Sequence, residues 1–245
     1  MIGEVSPLRF NNFKDPLIFD FDMDLKKLLL TEDIFPLMGI KLDESNTLRM
    51  DFSPSNLALE TVDISNTDDF NTYVFDMLKL KDKAYGIGGY FEHRAIYSRS
   101  AVFETGLEDF RDIHLGVDIW AKAGHAVHAP IEGIVHSFQD NAGFGNYGPT
   151  IILEHHFGGQ TLYSLYGHLA LKDLEALEVG QQIKKGELFC HLGPYPENGD
   201  WPPHLHFQLM WEMLGNSGDF PGVCSHRDRE KFQQICPDPH IIIGF

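Results

Sequence analysis

The segment WPPHLHFQLM, residues 201–210, places two histidines two positions apart within an apolar run. Side chains at positions i and i+2 of a β-strand face the same side of the sheet, so a strand here would point His204 and His206 in one direction. Burial of two imidazoles among apolar neighbours is costly unless they bind a partner. The pair is therefore a candidate metal site, and the alternative is a pair of hydrogen-bonded core histidines.

A second segment, DIHLGVDIW at 112–120, adds two possible ligands. In a straight strand His114 and Asp118 would lie about 13 Å apart, but Gly116 allows the chain to bend between them. Two histidines and an aspartate would supply three nitrogen and oxygen ligands and leave a fourth tetrahedral position open. This arrangement is typical of a catalytic zinc site rather than a structural one.

A third segment, LYSLYGHLA at 162–170, contributes His168. Hydrolysis at a metal site also needs a proton acceptor and a group that stabilises charge on the scissile carbonyl. The HExxH helix that supplies a glutamate base in many zinc peptidases is absent from the sequence. Histidines that do not bind the metal can take these roles, and three ligands leave two imidazoles available.

From Tyr85 onward, short β-type runs alternate with glycine and proline, which predicts a mainly β fold with antiparallel strands in a sandwich or open barrel. Two segments, GHAVHAPIEGIVHSF at 124–138 and VGQQIKKGELFCHLG at 179–193, echo each other and suggest related hairpins. The predicted division is an N-terminal α+β region at 1–84 and a catalytic domain at 85–245, with a C-terminal extension from about residue 211.

The N-terminal region is acidic and poor in glycine. SNTDDFNTYVFDMLKL at 65–80 predicts a helix capped by Ser65, with Phe70, Val74, Met77 and Leu78 on one face. TLRMDF at 47–52 and LALETVDI at 57–64 alternate as strands do. No residue in this region indicates a chemical role.

Composition limits the partners of the protein. A net charge of −17 with no visible basic patch argues against nucleic acid or an anionic membrane surface. No signal peptide or membrane span is visible, which predicts a cytoplasmic location, or a periplasmic or extracellular one if a leader has been removed. The three cysteines lack metal-type spacing and fit small buried side chains in a reducing compartment.

Taken in order, these motifs resemble the lysostaphin-like (LytM-type) zinc metallopeptidases over roughly residues 85–210. The motifs are HLGVD, GHAVHAPIEGIV, GFGNYGPTIILEH, TLYSLYGHL, VGQQIKKGELFCHLG and HLHFQL. The flanking segments YGIGGYFEHRAIY, NGDWPPHLHFQL, LGNSGDFPGVC and CPDPHIIIGF also resemble the peptidase-like module that is fused to class III aminotransferases. The two echoing segments match the duplicated β-hybrid architecture of the lysostaphin-like family.

The resemblance implies that His114, Asp118 and His206 bind Zn²⁺, and that His168 and His204 are the catalytic histidines. It further implies an endopeptidase that cuts peptide bonds of peptidoglycan, often beside glycine, with a peptide or muropeptide as substrate. Two alternatives stay open: a hydrolase of a small soluble amide, and a zinc-containing module that binds a peptide without cutting it. The N-terminal region could also inhibit the site by supplying a fourth ligand.

Overall fold

The computed structural model of this chain describes Leu25, Leu29 and residues 33–104, 110–157 and 159–245. The predicted mainly β fold is confirmed, with antiparallel pairing in every sheet and no closed barrel. The strands are β1 (Thr47–Met50), β2 (Tyr85–Gly88), β3 (Arg111–His114), β4 (Val117–Trp120), β5 (Ala126–His128), β6 (Gly133–Asn141), β7 (Gly148–Phe157), β8 (Gln160–Gly167), β9 (Gln182–Ile183), β10 (Leu188–His191), β11 (His204–Met210) and β12 (Val223–Ser225).

Eight strands form the main sheet in the order β1-β2-β4-β11-β8-β7-β6-β9. All neighbours in it are antiparallel except β1 and β2, which are parallel. Strand β11 lies between β4 and β8, so its side chains are buried along its whole length. The strand that carries the two adjacent histidines is therefore central in the sheet.

The two echoing segments pair with each other instead of each folding into its own hairpin. Strand β5 of the first segment pairs with β10 of the second, and β6 of the first pairs with β9 of the second. The prediction of two related hairpins is wrong in this respect, because each segment finds its partner strands in the other. The two similar segments therefore share their strand pairing and fold together.

The described part of the N-terminal region packs onto the same sheet. Strand β1 pairs in register with β2, and helix α1 (Thr67–Leu80) buries Phe70, Val74 and Leu78 as predicted. Its cap is Asn66, whose side chain accepts from the amides of Asp68 and Asp69, and not Ser65. The segment read as a strand at 57–64 instead begins with a 3₁₀ helix at Leu57–Thr61.

Two short helices, α2 (Arg229–Ile235) and α3 (His240–Ile243), follow the last strand. The core lies in three clusters, and one of them joins helix α1 to the sheet by packing Phe70 with Trp120 and Trp201. The division of the chain at residue 84 stays a prediction. Among the described residues, no helix has the length and apolar character needed to cross a membrane.

Candidate metal centre

Antiparallel pairing positions the first two candidate ligands. In the register of β11 with β4, His206 lies opposite Asp118 and His204 lies opposite Trp120. On its other side, His206 lies opposite Gly167, the residue before His168. Three of the predicted site residues therefore lie on three neighbouring strands at the same level of the sheet.

The third candidate ligand arrives through the predicted bend. Strand β3 ends at His114, β4 begins at Val117, and the chain turns at Gly116. A side chain at Gly116 would lie 2.7 Å from the His206 ring and 2.8 Å from the Phe207 carbonyl oxygen. Glycine is required here because the imidazole of His206 packs directly over the backbone.

The three candidate ligand atoms form a compact triangle. His114 Nε2 lies 3.0 Å from His206 Nδ1 and 3.2 Å from Asp118 Oδ1, and His206 Nδ1 lies 3.1 Å from the same oxygen. Bonds of 2.0 to 2.2 Å to a tetrahedral ion place ligand atoms roughly 3.3 Å apart, so these spacings suit zinc. Two imidazoles and one carboxylate also match the donor types that zinc prefers.

Hydrogen bonds fix which nitrogen of each ligand histidine faces the triangle. His114 Nδ1 donates to the Gly89 carbonyl oxygen at 2.9 Å, and His206 Nε2 donates to Gln208 Oε1 at 3.0 Å. The amide nitrogen of Gln208 donates to the Pro221 carbonyl, which turns its oxygen toward His206. Since each outward nitrogen holds a proton, the inward nitrogen carries a lone pair, as a metal ligand requires.

The two remaining histidines are held in the same way. His168 Nδ1 donates to the Asn198 carbonyl oxygen at 2.8 Å, and His204 Nδ1 donates to the Pro202 carbonyl oxygen at 2.7 Å. Their rings lie 4.2 Å apart, and His204 Nε2 lies 3.8 Å from Asp118 Oδ1. Both imidazoles thus present an unprotonated Nε2 beside the triangle.

His168 adopts a backbone conformation that few non-glycine residues take, with φ of +63°. Its amide donates to the Tyr147 carbonyl oxygen and its own carbonyl accepts from the Gly193 amide, so both neighbouring loops hold it. A left-handed conformation costs a non-glycine residue about 1 to 3 kcal/mol, and such strain is concentrated at functional sites. This position directs the ring toward His204.

Electrostatics hold Asp118 ionised. Burial raises the pKa of this carboxyl, but the groups around it, among them the permanently charged Arg94 guanidinium, outweigh burial and lower the pKa well below its usual range. Arg94 donates to Asp118 Oδ2, the oxygen that lies outside the triangle, and its Nε donates to Glu92 Oε2 at 2.7 Å. The guanidinium is itself buried between the two carboxylates.

Burial also keeps the imidazoles neutral. It lowers the pKa of His114 to about 3, with Arg94 adding to the effect, and lowers the pKa of His204 to about 4. It lowers the pKa of His168 well below its ordinary value, and nearby His204 acts in the same direction. Neutral imidazoles can bind a metal or accept a proton at neutral pH.

Asp118, His168, His204 and His206 line a recessed cavity of about 280 Å³. All five predicted site residues are 5% exposed or less. Phe70 of helix α1 and Tyr97 line one wall, and the segment from Asn216 to Val223 lines another. Val102 and Asp219 are the exposed members of the lining, so they mark its mouth among the described residues.

The structure thus brings together all five residues named from the sequence. Three of them, His114, Asp118 and His206, have ligand atoms close enough together to hold one metal ion. No residue of the described range 33–84 belongs to that cluster. Sequence reasoning missed Arg94, Glu92 and Gln208. Only Gln208 carried a signal, because it lies two residues after His206 on the same face of β11.

Comparison with known proteins gives a family match. The model of peptidase family M23 matches residues 112–218, the part of the chain that contains all five site residues. A search of curated proteins finds no match.

Three solved structures illustrate the similarity. A peptidase M23 from Pseudomonas aeruginosa is 22% identical, with 53% of this chain and 43% of that chain covered and a TM-score of 0.34. A zinc-containing peptidase from Vibrio cholerae is 23% identical, with 40% and 27% covered and a TM-score of 0.30. The catalytic domain of lysostaphin from Staphylococcus simulans is 22% identical, with 55% and 81% covered and a TM-score of 0.36.

This chain therefore spans less than half the length of the first two of these proteins. The family model, which matches the segment that carries HLGVD, YGHL and HLHFQL, confirms the resemblance drawn from those motifs. The similarity of this chain to peptidase family M23 therefore covers residues 112–218.

Proposed function

We propose that this protein is a zinc-dependent hydrolase that cleaves an amide bond. The observation that carries the proposal is the convergence of three imidazole nitrogens, from His114, His204 and His206, on Oδ1 of Asp118 at 3.1 to 3.8 Å, with the His168 ring 4.2 Å from that of His204. The other nitrogen of each of these three rings donates to a carbonyl or amide oxygen, so a lone pair faces Asp118, and a cluster built only for stability would gain nothing from that arrangement. Similarity to peptidase family M23 over residues 112–218 supports the same activity.

The three ligands and the two other histidines have separate roles in this proposal. His114, Asp118 and His206 would hold the ion, which when bound would supply Lewis-acid activation of water and of the scissile carbonyl. One of His168 and His204 accepts a proton from the attacking water through its free Nε2, and a protonated imidazole then donates to the leaving amine. The other imidazole accepts a hydrogen bond from the same water through its own free Nε2 and so orients the attack.

The recessed cavity favours a small substrate or the end of a chain over a cross-linked wall polymer. At about 280 Å³ it lies at the lower end of the range for small-molecule sites. Arg111 lines it, and the Nε of this guanidinium is buried without a hydrogen-bond partner. We infer that Arg111 binds a carboxylate of the substrate, which fits a short peptide with a free C-terminus or another small amide that carries an acid group.

The region before residue 85 forms part of the cavity wall. Helix α1 contributes Phe70 to the lining, and Phe70 packs against Trp201 close to His204. We infer that this region limits the size of the substrate rather than supplying a fourth ligand. The cytoplasmic location and the kinship with aminotransferase-fused modules stay predictions.

Turnover of defined substrates tests the proposal. Zinc-loaded wild type, His168→Ala and His204→Ala are assayed on glycine oligomers of two to five residues, each with a free or an amidated C-terminus, and on soluble muropeptides. We expect wild type to favour short substrates with a free carboxylate, and each histidine variant to lose on the order of 100-fold or more in kcat with its zinc content unchanged.

The control is His156→Ala, which removes an exposed histidine that pairs with Glu154. Its turnover should equal that of wild type. Turnover by His204→Ala and His168→Ala at the wild-type rate would contradict the proposed reaction. Binding of the peptides by wild type and both variants without any cleavage would instead identify the chain as a peptide-binding module.

A further inference from the structure

A second cluster of metal-type side chains lies on the surface, apart from the buried centre. It consists of His93, Asp112 and His226, which we name the outer cluster. His93 Nε2 lies 3.0 Å from Asp112 Oδ2, and His226 Nε2 lies 3.5 Å from Asp112 Oδ1. The two imidazole rings are 5.4 Å apart and nearly perpendicular, so both direct an Nε2 toward the same carboxylate.

Adjacent backbone segments hold the outer cluster in place. Asp112 lies on β3, His93 forms a bridge to Ile113 of that strand, and His226 directly follows β12, which pairs with β3 on its other side. The three side chains therefore come from three neighbouring strands or bridges. A site assembled in this way needs no rearrangement of the chain to bind an ion.

Asp112 Oδ1, which makes no hydrogen bond, distinguishes the outer cluster from ordinary ion pairs on a protein surface. His93 pairs with Asp112 Oδ2, whereas the buried Oδ1 makes no hydrogen bond and has His226 Nε2 3.5 Å away. A buried carboxylate oxygen without a hydrogen-bond donor is costly, and a cation would remove the cost. One ligand atom from each of the three residues lies within 4.8 Å of the others, close enough for the three to surround one ion.

We propose that the outer cluster binds a second divalent transition-metal ion of the zinc class and that this ion braces the walls of the cavity. His93 precedes Arg94, the partner of Asp118, and His226 lies three residues after Val223, which lines the cavity. Strand β3, which carries Asp112, ends at the ligand His114. An ion at the outer cluster would therefore connect the segments that carry His93 and His226 to β3, the strand that ends at the ligand His114.

Metal content after loading tests this inference without any assay of activity. Metal-free protein is equilibrated with zinc, dialysed, and analysed by inductively coupled plasma mass spectrometry. We expect two zinc ions per wild-type chain, one for His226→Ala or His93→Ala, and two for the control His156→Ala, which is also exposed and next to a carboxylate. His206→Ala, which disables the buried centre, should retain one.

Thermal unfolding gives the second readout. In the His206→Ala background, zinc should still raise the melting temperature, and adding His226→Ala or His93→Ala should abolish that rise while leaving the metal-free melting temperature unchanged. A single zinc per wild-type chain that is unaffected by His226→Ala would overturn the proposal. So would equal zinc-induced shifts in His206→Ala with and without the outer substitutions.

Discussion

The Arg94 guanidinium donates to Oδ2 of Asp118 while Oδ1 of the same carboxylate faces His114 and His206. Each oxygen of Asp118 therefore has a separate partner, one a fixed cation and the other the candidate metal position. A second carboxylate, Glu92, holds the other side of the guanidinium. This chain of charges orients the aspartate before any metal binds.

Arg94→Met should destabilise the metal-free protein by about 3 to 5 kcal/mol, because it leaves two carboxylates without their buried cation. Zinc would then supply the charge that Asp118 has lost, so the zinc-induced rise in melting temperature should be larger in the variant than in wild type. Chemical denaturation and thermal unfolding, each with and without zinc, measure both effects. Arg94→Lys keeps the charge, so its metal-free stability should lie between those of wild type and Arg94→Met. If metal-free Arg94→Met is as stable as wild type, Arg94 does not stabilise the two carboxylates.

Gly116→Ala should weaken zinc binding, because the added methyl group would lie 2.7 Å from the His206 ring and must displace it. The matched control is Gly89→Ala, where the methyl group would lie 3.4 Å from its nearest neighbour, Glu92 Cβ. Competition with a chromogenic chelator measures the affinity of each variant. If both alanine variants bind zinc as wild type does, the packing of His206 over Gly116 does not matter for the metal.

Gln208→Met should lower zinc affinity by roughly 10- to 100-fold, the usual effect of removing a hydrogen-bond partner from a metal-binding histidine. The substitution keeps the side-chain length but removes the acceptor for His206 Nε2. Gln208→Glu retains an acceptor and should bind zinc more tightly than Gln208→Met. Equal affinities for these two variants in the chelator competition would show that the hydrogen bond does not orient the ligand.

His155 offers a test of pH dependence away from the metal centre. Burial lowers its pKa from 6.5 to about 4, and its ring bonds to Ser164 and the Glu132 carbonyl. Since the folded state holds the neutral imidazole, the stability it contributes is complete above pH 6.5 and is lost as the pH falls toward 4. Between pH 7 and pH 5 this amounts to about 2 kcal/mol.

Urea denaturation of wild type and His155→Gln at pH 7 and pH 5 measures this difference. The variant should lose less stability over the interval than wild type does, because its side chain does not titrate. A loss that is the same in both proteins would assign the acid sensitivity to other groups.

Part of the candidate site could be predicted from the sequence because strand geometry is simple. Residues two apart on β11 must share a face, and Gly116 allows the chain to bend between His114 and Asp118. The roles of the five residues rest on the resemblance and stay predictions. Arg94 could not be predicted, since nothing in a sequence indicates that a residue 24 positions before Asp118 will meet it in space. That contact depends on the packing of three separate segments.

The errors in the fold have the same origin. Alternation at 57–64 fits a strand, yet the segment folds in part into a 3₁₀ helix capped by Asn56. The segments at 124–138 and 179–193 each look like a hairpin, but local pattern does not determine whether two strands pair within a copy or between copies. In both cases tertiary pairing decides the outcome.

The cavity mouth between Val102 and Asp219 has a consequence for the pattern of products. A groove open at both ends lets a long chain pass through and be cut in its middle, whereas a blind pocket admits a chain only by its terminus. On the proposed function, a recessed cavity of about 280 Å³ favours cleavage near one end of a longer peptide over cleavage in its middle.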